Sequence, residues 1–287
     1  MQIIRIDDPG DPRIAGFTQV RERDLIGREG RFIAEGEVVL RHLLTSPRCE
    51  PLALLAAEDR LGRLEGLIGD HEVAAPVYAA SQAVMDAIVG FPIHRGLLGL
   101  GRLRTRPSAA ELLGGLGEKA VVVAVHGVGN HDNMGGLFRN AAAFGADAVL
   151  IDSTCCDPLY RKAIRVSVGA ALIMPFARLE TGEDLLEVLR AAKLEPVALT
   201  PSGEETLAEF RPGARSAVLF GAEGPGLPPA LLSAARTVRI PMAPGFDSLN
   251  VATTSGVVLH HFAAARAGGP GSNQEDQSND RADRQSP

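Results

Sequence analysis

The stretch Val121-Val122-Val123-Ala124-Val125-His126, then Asn133-Met134-Gly135-Gly136-Leu137-Phe138-Arg139, then Phe144-Gly145 and Ala148-Val149-Leu150-Ile151, decides the fold class. The first run is apolar and β-branched, the composition of a strand buried on both faces. Residues 134–144 carry a helical pattern, and Gly145 stands where a left-handed residue closes a helix. Residues 148–151 read as a second strand. Outward from this unit the alternation continues. Residues 160–166 read as a basic helix. Thr181 is expected to cap a helix running to about residue 193, with Asp184 in the capping-box position. Residues 197–199 and 217–220 read as strands, and 228–235 as a helix opened by prolines. Residues 238–240 read as a last strand and 249–265 as a long apolar helix. Strands alternating with helices predict an α/β fold with a parallel sheet covered on both faces.

The chain has 287 residues, room for two domains. Residues 1–105 are expected to form a smaller N-terminal α/β substrate-binding domain, with a helix over 31–44, short strands at 52–55 and 73–77, and a helix over 81–88 opened by Ser81. Residues 106–118, rich in Pro, Ser and Gly around a Leu cluster, read as a linker with one helical turn. Residues 119–266 form the larger domain. The tail, 267–287, is almost devoid of apolar side chains and is expected to be disordered.

Apolar residues at 45% and charged residues at 22% describe an ordinary soluble globular chain. No apolar run is long enough to span a membrane. The N-terminus lacks the pattern of a signal peptide, so the cytoplasm is expected. Cys49, Cys155 and Cys156 form no C-x-x-C pair, and the seven histidines form no ligand spacing. No metal is therefore expected. The net charge of −6 does not advertise nucleic acid. The segment 92–110 nevertheless holds no acid and four arginines, Arg95, Arg102, Arg104 and Arg106. It reads as a phosphate-facing patch. The earlier Arg13, Arg21, Arg23, Arg28 and Arg31 are interleaved with acids and read as solvated surface.

Three stretches place Gly, Asn, Ser, Glu or Arg where strands end, the usual place for ligands in open α/β sheets. They are residues 133–139, Leu219-Phe220-Gly221-Ala222-Glu223-Gly224-Pro225-Gly226-Leu227, and Ile240-Pro241-Met242 with Ser248-Leu249-Asn250. The glycine spacing in 221–226 and in His126-Gly127-Val128-Gly129-Asn130 is not that of a dinucleotide loop. Arg139 lies in an apolar helix with no acid four residues away on either side, which no helical ion pair explains.

Together the stretches closely resemble the SpoU/TrmH family of RNA 2′-O-ribose methyltransferases. Asn133, Gly135, Arg139 and Phe144-Gly145 match its first motif, Phe220 to Leu227 its second, and Ile240 to Met242 with Ser248 to Val251 its third. Arg165-Val166-Ser167-Val168-Gly169-Ala170 and Pro175-Phe176 match between them. The resemblance covers about half the chain. Ala34-Glu35-Gly36 and His94-Arg95-Gly96 are looser echoes in the N-terminal half, and Ala252-Thr253-Thr254-Ser255 departs from the commoner small residues. The resemblance implies a doubly wound, trefoil-knotted catalytic domain, bound S-adenosylmethionine, an rRNA or tRNA substrate and a homodimer. It implies catalytic roles for Asn133, Arg139, Glu223, Ser248 and Asn250, with Asn133 also holding its helix start. Cofactor contacts carry over to Gly221, Ile240 and Leu249, largely through backbone, with Leu219 and Met242 lining. The N-terminal domain and the 92–110 arginines would select the RNA. Two other readings stay open: a base methyltransferase of the same superfamily, and an RNA-binding assembly or resistance factor without turnover.

Overall fold

A computed structural model describes residues 2–18, 30–69, 73–90, 92–246 and 248–267. Arg21, Arg23, Arg28 and the expected tail from residue 268 lie outside the described residues.

The first half builds a mixed five-stranded sheet. Its strands are β1 (Ile3–Ile6), β2 (Arg31–Glu35), β3 (Cys49–Ala57), β4 (Val77–Ala80) and β5 (Leu97–Leu103), in the order β1-β4-β3-β5-β2. β4 runs parallel to β1 and β3, while β5 is antiparallel to β3 and β2. Helices α1 (Glu37–Thr45), α2 (Leu61–Ile68) and α3 (Gln82–Val89) pack against it. α3 begins as expected, with the Ser81 hydroxyl accepting from the Val84 amide. The single helix expected over 31–44 is instead a strand and a helix. Gly36, at φ +88°, breaks the run, and Phe32 to Glu35 are buried in succession, as in a strand covered on both faces. The strand expected at 73–77 begins only at Val77.

β5 was not anticipated, because Gly99, Gly101 and Arg102 mask it. Those glycines serve close packing: a Cβ on Gly99 or Gly101 would lie 2.7 or 2.6 Å from Leu43 of α1.

The second half builds a seven-stranded sheet, parallel throughout. Its strands are β6 (Ala120–Val125), β7 (Ala148–Ile151), β8 (Phe176–Arg178), β9 (Glu195–Leu199), β10 (Glu205–Thr206), β11 (Arg215–Phe220) and β12 (Arg236–Arg239). The order is β10-β12-β9-β11-β6-β7-β8. The helices are α4 (Ala109–Gly114), α5 (His131–Ala143), α6 (Arg161–Val166), α7 (Ala170–Ile173), α8 (Leu185–Ala191), α9 (Pro229–Ser233) and α10 (Val251–Ala267). The period-2 pleat splits β6 between two cores. Val121, Val123 and Val125 join Met134 and Leu137 of α5 and Val258 and Phe262 of α10. Val122 and Ala124 join Leu113, Leu189 and Leu231 of α4, α8 and α9 on the other face.

Two expectations change here. Asp184, not Thr181, caps α8, accepting from the Leu186 amide at 2.8 Å. The segment 106–118 is no bare tether: it folds into α4 with a Ser108–Glu111 capping box and buries Ala109 and Leu113 under the sheet.

One hydrophobic cluster runs through both sheets, from Phe32, Leu40 and Leu43 to Leu172 and Phe176. Polar contacts reinforce it. Arg161 meets the buried Glu35 carboxylate at 3.0 Å, and the Ser46 hydroxyl donates to the Leu172 carbonyl at 2.9 Å. Arg48 donates to the Met174 carbonyl and stacks over Phe176. Other arginines clip loops. Arg178 donates to the carbonyls of Asp152, Cys155 and Cys156 at 3.0, 2.9 and 3.2 Å. Arg215 donates to those of Gly117 and Ala192, and Arg239 to those of Gly203 and Glu204. Among the described residues, no helix is long and apolar enough to cross a membrane.

Candidate active site

A cavity of about 520 Å3 opens at the C-terminal ends of β9, β11 and β12. Three loops build it: Leu199 to Pro201, Phe220 to Leu227, and Ile240 with Met242; the segment Ser248 to Val251 closes one side. Its floor of Leu199, Val238, Ile240 and Leu227 is apolar, and loop backbone and the polar Thr200, Glu223, Ser248 and Asn250 surround it. An apolar slot edged by backbone amides and carbonyls suits an adenine-type ring. Gly221 sets the shape. A Cβ there would fall 2.3 Å from the Gly226 backbone carbon and 2.5 Å from the Leu227 nitrogen, so only glycine lets the loop fold back on itself. Gly224 and Gly226, at φ +88° and +69°, make the turn.

Asn250 connects the cavity to α5. Its Nδ2 donates to Asn133 Oδ1 at 2.8 Å and to Glu223 Oε1 at 3.0 Å. Its Oδ1 accepts from the Ala252 and Thr253 amides at 2.9 and 3.2 Å, capping α10. Residues 117 and 27 positions apart in sequence thus share one side chain. α5 reaches this point because it carries Gly135-Gly136. A Cβ on Gly136 would lie 2.4 Å from that of Ala252, and one on Gly135 2.8 Å from the Ala163 carbonyl. The first lets α10 approach, the second α6. Asn140 adds hydrogen bonds to the Ala252 carbonyl (2.7 Å) and the buried Ser255 hydroxyl (2.8 Å). The unusual 252–255 segment therefore packs tightly.

The expected site residues divide accordingly. Gly221, Ile240, Met242 and Leu249 line the cavity, as do Glu223, Ser248 and Asn250. Leu219 does not: its side chain is fully buried in the core between paired strands. Asn133 is buried and reaches the site through Asn250, but it does not hold its helix start. Asn130 does, accepting from the Asp132 and Asn133 amides. Arg139 lies on the exposed side of α5, outside the cavity lining, with no hydrogen-bond or ion-pair partner among the described residues. Of the four expected RNA-facing arginines, Arg102 pairs with Glu50 at 2.9 Å, Arg104 and Arg106 are exposed, and Arg95 lines a second cavity.

The loop after β9 was missed. Its signal was present in Thr200-Pro201-Ser202-Gly203 directly behind a strand, and Gly203 allows contact with β12, since its Cβ would lie 2.4 Å from the Val238 backbone. Beside the site, His126 Nδ1 meets Asp152 Oδ2 at 2.6 Å. Burial raises the Asp152 pKa, but hydrogen bonds from Cys155, Thr154 and Gly127, with His126 nearby, outweigh it and leave the pKa below the usual value. Burial pushes the Cys155 thiol up to about 12 and the Cys156 thiol up to about 11, so neither is a thiolate at neutral pH. Among the described residues, no group of three or more His, Cys, Asp or Glu is placed to hold a metal.

A parallel sheet whose strand-end loops form an apolar, backbone-edged slot is the usual ligand-binding arrangement of open α/β proteins. Comparison with known proteins sharpens the class. Residues 120–260 match the model of the SpoU rRNA Methylase family. Over 277 residues the chain is 40% identical to uncharacterized tRNA/rRNA methyltransferases of Mycobacterium bovis and Mycobacterium tuberculosis, covering 92% of this chain and 93% of each relative. A crystal structure of an RNA 2′-O ribose methyltransferase superimposes with a TM-score of 0.75 at 27% identity, over 92% of this chain and 100% of the other. The fold is also that of an AdoMet-bound rRNA methyltransferase from Sinorhizobium meliloti (TM-score 0.75, 23% identity, 93% and 99% covered). The chain belongs to the SpoU/TrmH family of RNA methyltransferases.

Proposed function

We propose that this protein methylates a ribose 2′-hydroxyl in rRNA or tRNA, using S-adenosylmethionine. The observation that carries the reading is the Asn250 bridge, which ties the glycine-shaped cavity to Asn133 and Glu223 at its mouth. The similar structures named above, an RNA 2′-O ribose methyltransferase and an AdoMet-bound enzyme, support it. The cavity fits the cofactor: Gly221, Ile240, Met242 and Leu249 would hold it, mainly through backbone and apolar contact. When bound, S-adenosylmethionine supplies an already activated methyl group. What remains for the protein is orientation of the ribose oxygen and removal of its proton. Asn250 and Asn133 hold the amide network, Glu223 is oriented by Asn250, and Ser248 faces the cavity. Arg139 stays charged at ordinary pH. In this reading it binds and orients a phosphate, and the ribose proton passes to that phosphate or to water rather than to the guanidinium.

A knotted chain path, a homodimer through the catalytic half, a cytoplasmic setting and RNA selection by residues 1–105 belong to the same reading. The exposed Val257 of α10 supports the dimer. Light scattering reporting only monomer would remove it.

The reading is tested by incubating purified protein, S-adenosylmethionine and total RNA from a strain lacking the gene, then mapping the methyl groups. A new 2′-O-methyl nucleotide is expected. A methyl on a base would move the protein to base methylation. No transfer, together with no calorimetric binding of S-adenosylmethionine, would sink the enzyme reading. Arg139→Ala should abolish turnover. If turnover stays normal and only RNA binding weakens, the role in proton removal fails.

A further inference from the structure

Four guanidiniums line a second cavity, of about 410 Å3, where the two halves of the chain meet. Arg60 stands just before α2, Arg63 within it, Arg95 in the loop before β5 and Arg165 in the last turn of α6. His94 joins them. The one lining carboxylate, Glu37, is already engaged by Arg41 at 3.3 Å. Among the described residues, Arg63, Arg95 and Arg165 have no hydrogen-bond or ion-pair partner, and Arg60 meets only its exposed neighbour Asp59, at 3.3 Å. Gathering four guanidiniums around one carboxylate that is already paired is unfavourable unless an anion completes the site.

The backbone is shaped for these side chains. Gly36, at φ +88°, underlies Arg95: a Cβ there would lie 2.8 Å from its Cδ. Gly96, at φ +63°, underlies Arg60, with 3.0 Å to its Cγ. Both belong to the short N-terminal echoes in the sequence, Ala34-Glu35-Gly36 and His94-Arg95-Gly96. Val168 also lines the cavity at φ +54°, a left-handed conformation that a β-branched residue rarely adopts. Such strain gathers at ligand clamps. The Glu35–Arg161 pair ties α6, which carries Arg165, to β2 of the first half.

We infer that this cleft seats the phosphate backbone of the RNA substrate. The inference rests on the RNA-methylation reading and deepens it. Guanidiniums donate to phosphate oxygens in pairs, and such contacts fix register without reading sequence. The cleft thus anchors the RNA across the junction. It adds to the exposed Arg104 and Arg106, whereas Arg102 is already paired with Glu50.

The test measures filter binding of an unmodified ribosomal RNA transcript and, separately, of a tRNA pool, across a series of KCl concentrations. The double variant Arg63→Gln/Arg165→Gln should weaken binding roughly tenfold and flatten the slope of log affinity against log salt by about 1 per arginine. Calorimetric binding of S-adenosylmethionine should be unchanged. Arg190→Gln, an exposed arginine on α8, should alter neither affinity nor slope. If wild type binds RNA and the double variant binds it with the same affinity and slope, the cleft is not the seat. If wild type binds neither RNA, the RNA-substrate reading falls first and takes this inference with it. Should the double variant melt without cooperativity, Arg95→Gln carries the test, with an expected slope change of about 1.

Discussion

Asn250 donates toward Asn133 and Glu223 from one end of its amide while the other end accepts the first amides of α10. Two substitutions separate these jobs. Asn250→Ala removes both and should cost about 1 kcal/mol of stability, read in a thermal melt, along with activity. Asn250→Asp keeps a good cap but sets a carboxylate against that of Glu223. Its melt should stay near wild type while methyl transfer falls roughly a hundredfold; parallel losses in both assays would show that the bridge is only structural. Gly221→Ala should leave the fold intact and abolish S-adenosylmethionine binding in calorimetry, because the added carbon meets the Gly226 backbone. Gly221, Glu223 and Asn250 were legible because glycine turns and lone polar residues at strand ends carry their own signal. Leu219 was misread because an apolar residue one position before a loop can face cavity or core, and only the pleat decides. Asn130 lies outside the motif that begins at Asn133, although Asn-His-Asp has the form of an ordinary helix start.

The helices 131–143 and 251–267 are held at contact distance by absent side chains. Gly136→Ala should overpack Ala252 and cost about 1–3 kcal/mol by denaturant unfolding. Ala252→Gly in the same molecule should return stability to near wild type. If the pair is no better than Gly136→Ala alone, the close approach is not what the glycine serves. In the second half, the longer elements were readable because buried parallel strands are plain apolar runs and the helices between them are separated by Gly, Pro or Asp. The short strands Phe176–Arg178 and Glu205–Thr206 and the helix Ala170–Ile173 carry too few residues to show a period. In the first half that contrast fails. The helix expected over 31–44 hid the strand Arg31–Glu35, since only the φ of Gly36 distinguishes the two. Leu97–Leu103 was hidden by glycines whose purpose, room for Leu43, lies some fifty residues away in sequence.

At the scale of the molecule, the two sheets share a core and a buried ion pair. Glu35→Ala should remove the buried carboxylate that meets Arg161 and cost roughly 1.5–3 kcal/mol. Glu35→Gln, which keeps an acceptor, should recover part of that; equal losses would assign the effect to packing instead. No local pattern in the sequence announces this pair, whose members stand 126 residues apart. The arginine clips carry a practical consequence. Arg178, Arg215 and Arg239 grip carbonyl oxygens, and a partly buried contact between a charge and a dipole is little affected by dissolved ions. A polyanion held by exposed guanidiniums is released steeply as salt rises. Concentrated salt should therefore strip nucleic acid from this protein during purification while its loops stay fastened.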